Sequence, residues 1–165
     1  LSFLGKLRLE RLVLDGVKPT NWEVCNAKSL KVVAASIELA FPQLCGVEDL
    51  ELSETGWVCS TTKDSLFNWQ GLQSFPNVTT LRVNGNLSVR NAQELVLELA
   101  SMFEIQTFCF TGTAQRAFLG DLQRVPHLTC VSVRLCGSDG DYDDHVLVHV
   151  RVRSFLDYNT CSLLL

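Results

Sequence analysis

The sequence predicts an α/β solenoid: a right-handed β-α superhelix with a parallel sheet on its concave side and helices or irregular turns on its convex side. Three observations predict it. The stretch 75–86, FPNVTTLRVNGN, fits an LxxLxLxxN phrase, with Val78, Leu81 and Val83 at apolar positions and Asn86 closing it. Alternate side chains of a strand share one face, so the phrase is a short strand with one buried side and an Asn bonding backbone at a tight bend. Weaker copies of the phrase recur along the chain. Between several of them lie segments whose apolar residues have helical spacing.

The copies set a register of strands. The first spans 9–15, with Leu9, Leu12 and Leu14 inward, and the second 27–33, with Ala27, Leu30 and Val32. The third spans 47–53, with Val47, Leu50 and Leu52, and the fourth 78–84. The fifth, 105–111, uses Ile105, Phe108 and Phe110, and the sixth, 128–134, uses Leu128, Val131 and Val133. Starts at 9, 27, 47, 78, 105 and 128 give periods of 18, 20, 31, 27 and 23, against a usual period of about 20–29 residues for such repeats. Uneven return segments explain the scatter. A generic α/β domain with a parallel sheet would show the same alternation, and six recurrences of one phrase favour the solenoid.

Three return segments read as helices. Residues 91–103 carry Ala92, Leu95, Val96, Leu99 and Phe103 on one face, and Asn91 with Glu94 resembles a capping box. Thr113 is the expected N-cap of a second helix with Ala114, Ala117, Phe118, Leu122 and Val125 as its stripe. Leu66, Trp69 and Leu72 mark a third, after the polar stretch 60–65. Pro42, Pro76 and Pro126 punctuate the segments ahead of strands, because the residue before a proline disfavours the helical conformation. After the acidic break 138–145, the period-two run at 146–153 reads as a terminal edge strand with His149, Arg151 and Arg153 toward water.

Composition sets limits on function. The chain has 165 residues, 47% of them hydrophobic and 19% charged, which is enough for one domain (1–165) with a real core. A net charge of −4 argues against a nucleic-acid partner, which would call for a basic surplus. No apolar run approaches the roughly 18 residues of a membrane span, so no membrane partner is expected. The chain begins at Leu1 with its repeat pattern running by Leu9, so it is expected to be a fragment of a longer one. The seven cysteines are odd in number, with none of the dense pairs that disulfide caps or metal sites use. Free thiols in an intracellular compartment are the expectation.

The phrases FPNVTTLRV, VPHLTCVSV and FPQLCGVEDLEL, within a pattern covering about 9–133, resemble degenerate leucine-rich repeats. They are similar to those in the C-terminal regions of F-box proteins, especially fungal ones. The resemblance implies a protein-interaction module that recognises substrates for a ubiquitin ligase. The ligase scaffold would then dock only through a missing N-terminal region. Intracellular immune-receptor repeats look similar, and an extracellular or immune-receptor ligand-binding domain is the competing expectation.

In the phrase LxxLxLx, the third, fifth and seventh residues point away from the core and line the concave face. The fifth positions are Val13, Lys31, Glu51, Arg82, Cys109 and Ser132. The third positions are Arg11, Ser29, Asp49, Thr80, Thr107 and Cys130, and the seventh are Asp15, Val33, Ser53, Asn84, Thr111 and Arg134. Arg11, Lys31, Asp49, Glu51, Arg82, Asn84 and Arg134 are the candidate residues for gripping another protein, because concave solenoid faces are the usual binding surface. Lys31, Glu51 and Arg82 should be neighbours across adjacent strands. The bland account is that such pairs satisfy one another and only solubilise the surface.

Catalytic and cofactor signals are lacking. No GxSxG, GxGxxG or GxxxxGK motif occurs, and the three histidines, His127, His145 and His149, all fall late in the chain. Cys109 and Cys130 are the only reactive candidates, with small filler as their expected role. Asp139, Asp141 and Asp143 have the spacing of a calcium loop, but Asp144 stands where Gly is wanted and Val150 where Glu is. His145 and His149 would lie about 13 Å apart on a strand, too far for one zinc. No enzyme, cofactor or metal is expected. The sequons at Asn77 and Asn86 read as chance, since Asn86 is needed inside the bend.

Overall fold

Alternating apolar residues need a wall to close against, and this chain builds one by laying strands side by side. The structure, a computed structural model, describes residues 8–16, 26–34, 37–38, 44–54, 67–136 and 146–151. Its elements run β1 (Arg8–Asp15), β2 (Asn26–Ala34), β3 (Ile37–Glu38), β4 (Asp49–Glu54) and β5 (Phe67–Asn68). A 3-10 helix (Trp69–Ser74) and β6 (Thr80–Asn86) follow, then α1 (Val89–Ser101), β7 (Thr107–Thr113), α2 (Ala117–Leu122), β8 (Cys130–Leu135) and β9 (Val146–Arg151). The main sheet has the order β1-β2-β4-β6-β7-β8-β9, and β3 pairs with β5 in a separate two-stranded sheet. Six strands of the main sheet are parallel and β9 is antiparallel to β8. The protein is therefore α/β, a six-strand parallel sheet with a few helices.

The register follows the expected phrases residue by residue. Leu12, Leu30, Leu50, Leu81, Phe108 and Val131 pair across successive strands as one row, and Leu14, Val32, Leu52, Val83, Phe110 and Val133 as a second. All are buried except Leu12, which is half-buried on the edge strand. Burial of this kind is worth about 1.5–3 kcal/mol for each large side chain. Trp69, Leu72, Leu95, Leu99, Phe118 and Leu122 close the same face from the helical side. Phe118 meets Phe108 and Phe110 edge-on, with ring centroids 6.2 and 5.6 Å apart.

In the main sheet, each parallel strand after β2 is approached through the same small turn. Val47, Val78, Ile105 and Leu128 donate backbone N–H bonds of 3.2–3.4 Å to Leu44, Phe75, Met102 and Val125. Both ends of each turn are inward-facing apolar residues, and Met102 alone among them is only half-buried. Backbone bonds then tie one repeat to the next: Glu48 to Lys28, Thr79 to Glu48, Gln106 to Thr79 and Thr129 to Gln106, each 2.8 or 2.9 Å. Pro76 and Pro126 sit inside two of these turns as expected, and the turn at 102–105 forms without a proline. The segment around Pro42 lies outside the described residues.

Several expected boundaries move. α1 starts at Val89 with Ser88 as its N-cap, whose Oγ accepts the Asn91 N–H at 3.3 Å, so Asn91 is inside the helix instead of capping it. Ser88 wins because its short hydroxyl reaches the free N–H groups of the first turn. The helix ends at Ser101, and Met102 takes the inward place expected of Phe103, which is 76% exposed and packs edge-on against His127 at 5.2 Å. Thr113 is no cap: it ends β7, and its Oγ1 donates to Asn86 Oδ1 at 2.8 Å, while α2 begins at Ala117 without a side-chain cap. The third expected helix is the short 3-10 turn, and Leu66 lies outside the described residues. β9 runs antiparallel because only ten residues separate Leu135 from Val146, while a parallel crossover needs a dozen or more.

Asn86 is 2% exposed and ends β6, which agrees with its expected inward amide, with Thr113 as a bonding partner. One residue earlier, Gly85 pairs with Gly112. Gly112 has φ of +155°, and a Cβ built there would lie 1.7 Å from the Gly85 carbonyl oxygen. Both strain and contact exclude a side chain. Gly112→Ala is expected to destabilise the fold by at least about 1–3 kcal/mol. Denaturant unfolding of the variant checks this, and an unchanged midpoint would count against the close strand approach.

Candidate functional site

The strand residues that do not enter the core collect on the opposite face of the sheet. Register alone produces three rows there. Arg11, Ser29, Asp49, Thr80, Thr107 and Cys130 form one, and Val13, Lys31, Glu51, Arg82, Cys109 and Ser132 the next. Asp15, Val33, Ser53, Asn84, Thr111 and Arg134 form the third. Every one of these side chains is exposed or half-buried. The grouping expected from the sequence thus exists as a surface of mixed charge.

Five of the seven candidate residues come together at its centre. Lys31 Nζ donates to Glu51 Oε1 at 2.6 Å across β2 and β4. The same carboxylate oxygen accepts from Asn84 Nδ2 at a long 3.4 Å, a contact that strand spacing gave no reason to expect. Arg82 lies directly opposite Glu51 in register but pairs diagonally with Asp49 through Nη1 and Oδ1. The expected Lys31–Glu51–Arg82 ladder is therefore two separate pairs. Sharing Glu51 Oε1 between Lys31 and Asn84 leaves Asp49 as the better acceptor for the arginine. Half-exposed pairs of this kind contribute under about 1 kcal/mol each. Their net charge is zero.

Arg11 and Arg134 stand apart from this cluster. Arg11 is two strands from Asp49, its nearest charged row-mate, and the one other charged residue in the row of Arg134 is Asp15 at the far edge of the sheet. Both are exposed, and neither is in an ion pair among the described residues. Toward β7 and β8 the face is short and neutral apart from Arg134: Thr107, Cys109, Thr111, Cys130 and Ser132. Cys109 and Cys130 are free thiols. Burial pushes the Cys109 thiol above its ordinary value, Arg82 opposes that shift, and Cys130 and Asp49 add to it.

On the helical side, a cleft of about 460 Å³ lies between the 3-10 helix and α1, lined by Phe67, Trp69, Arg90, Glu94, Leu97 and Glu98 with Asn68 and Gln70. Phe67 stacks on Trp69 at 4.5 Å, Arg90 pairs with Glu94 at 2.8 Å, and Glu98 accepts from Gln73 at 3.4 Å. The indole Nε1 of Trp69 is buried without a hydrogen-bond partner among the described residues. The sequence places Trp69 only in the apolar stripe of an expected helix, because a cleft between two non-adjacent segments leaves no local pattern.

Among the described residues no group of three or more His, Cys, Asp and Glu side chains could hold a metal ion, and no helix is long and apolar enough to cross a membrane. The acidic stretch 138–145, with Asp139, Asp141, Asp143 and His145, lies outside the described residues. Cys45 is a free, exposed thiol, whereas Cys136 is disulfide-bonded, so the expectation of seven free thiols fails there. Odd counting over the chain could not reveal a pairing that depends on which segments meet. Asn77 is exposed, and its Nδ2 donates to the Cys45 carbonyl at 2.8 Å.

Because burial disfavours the thiolate, alkylation of Cys109 in the folded protein should reach half its maximal rate at a higher pH than in the unfolded chain. Mass spectrometry of iodoacetamide-labelled peptides across a pH series measures this, and equal or inverted midpoints would contradict it. Compared with known proteins, the chain matches no family model, no curated protein and no solved structure.

Proposed function

We propose that the chain is a leucine-rich-repeat solenoid acting as a protein-interaction module, with the open face of the sheet as its gripping surface. One observation carries the reading. The fifth position of every phrase, from Val13 through Lys31, Glu51, Arg82 and Cys109 to Ser132, falls on a single row across six parallel strands. A row of that kind repeats one environment with a different side chain at each step, which is how stacked repeats present a graded surface to a macromolecule. Bulkier helical returns on the core side support an inward curve of the sheet. In its F-box form, the module selects substrates for a ubiquitin ligase whose scaffold is held by a region outside this chain.

A partner captured by this chain in its native cells should bind the double variant Arg82→Glu, Arg134→Glu at least tenfold more weakly. The double variant Gln93→Glu, Ala100→Glu, on the exposed side of α1, should leave binding unchanged, with both variants melting like the unsubstituted chain. Retention by the face variant together with loss by the helix variant would overturn the reading.

A second reading, an extracellular or immune-receptor ligand-binding domain, is favoured by the disulfide at Cys136, since such bonds persist in oxidising compartments. Thiol counting under denaturing, non-reducing conditions separates the two. A bond at Cys136 leaves at most five of the seven cysteines titratable, whereas seven titratable thiols support the intracellular module.

A further inference from the structure

We propose that Cys109 and Cys130 form a two-thiolate site for a soft, two-coordinate monovalent cation of the Cu(I) type. Both thiols are free and half-buried, and both lie on the open face of adjacent strands β7 and β8. The register sets Thr107 opposite Cys130 and Cys109 opposite Ser132, which makes the two cysteines diagonal neighbours. With strands about 4.8 Å apart and a rise of about 3.3 Å per residue, their Cα atoms stand about 8 Å apart. A direct disulfide needs backbone movement once that separation passes about 7 Å. Side chains leaning toward each other can instead hold their sulfurs about 4.5 Å apart. That is twice a metal–thiolate bond of about 2.3 Å, the span of a linear sulfur–metal–sulfur unit.

The surroundings select the ion. Tetrahedral zinc would need further ligands, and among the described residues no cluster of three or more ligating side chains exists. Two thiolates on their own suit a soft ion of low coordination number. Two thiolates around a monovalent cation carry one net negative charge, and the Arg82–Asp49 pair lies beside it, with Arg82 directly opposite Cys109 in register. Loading releases two thiol protons to solvent and forms two sulfur–metal bonds, with no electron transferred. Affinity therefore rises with pH. This site goes beyond the proposed function and needs no partner protein.

The test titrates the whole chain with Cu(I) as its acetonitrile complex, without oxygen or thiol reductant, against a chromogenic Cu(I) chelator. Cys109→Ser and Cys130→Ser should each lose one equivalent that the unsubstituted chain and Cys45→Ser both bind. The double variant should lose that same single equivalent. Single variants that keep it, or losses that add to two equivalents in the double variant, would overturn the site, because independent thiols behave that way. A second measurement needs no variant: Cu(I) at one equivalent should shield Cys109 and Cys130 together from maleimide labelling while Cys45 stays reactive. Shielding of only one of the pair would also overturn it.

Discussion

Everything in this protein hangs on the alignment of two apolar rows. Side chains alternate along a strand, so a shift of one residue between neighbours would turn a whole strand's core residues to the surface. Here the rows through Leu50 and Leu52 hold across six parallel strands, and residues completely removed from water occupy their centre. What keeps them aligned is partly local. The recurring turn, with Leu44 and Val47, Phe75 and Val78, Met102 and Ile105, or Val125 and Leu128 at its ends, starts β4, β6, β7 and β8 at the same height. Backbone bonds from Glu48, Thr79, Gln106 and Thr129 then hand that height to the next strand.

The open face is a consequence of the same alignment. Once alternate residues are committed to the core, the others must share a surface, and their chemistry is free to vary. On β2, β4 and β6 that variation produced compensating charges, with Lys31 on Glu51 and Arg82 on Asp49. Exposed pairs add little to stability, so their arrangement is not what holds the sheet together. On β7 and β8 it produced short hydroxyls and thiols beside the one charge of Arg134. Two chemically different halves therefore sit on one rigid support.

Legibility from the sequence was uneven for physical reasons. Identity and register of the main-sheet strands were readable because they depend on period-two burial and a repeated phrase, both local, whereas the two-residue strands β3 and β5 were not. Of the face, the membership of every row was readable for the same reason. Which acid Arg82 chooses was not, since it depends on how Lys31 and Asn84 already occupy Glu51. Helix limits also slipped: Ser88 outcompeted Asn91 as a cap, and Thr113 was claimed by the sheet and by Asn86. The direction of β9 turned on the length of its connection instead of its composition.

By itself the sequence determined an α/β chain, the inward residues of six strands, and the set of side chains left on the other face. These follow from alternation and spacing, which are properties of neighbours along the chain. Tertiary structure alone decided the close approach of Gly112 to Gly85, the diagonal pairing of Arg82, the diagonal placement of Cys109 and Cys130, and the cleft beside Trp69. Each of those depends on where two distant segments meet in space, and no pattern within either segment encodes the meeting.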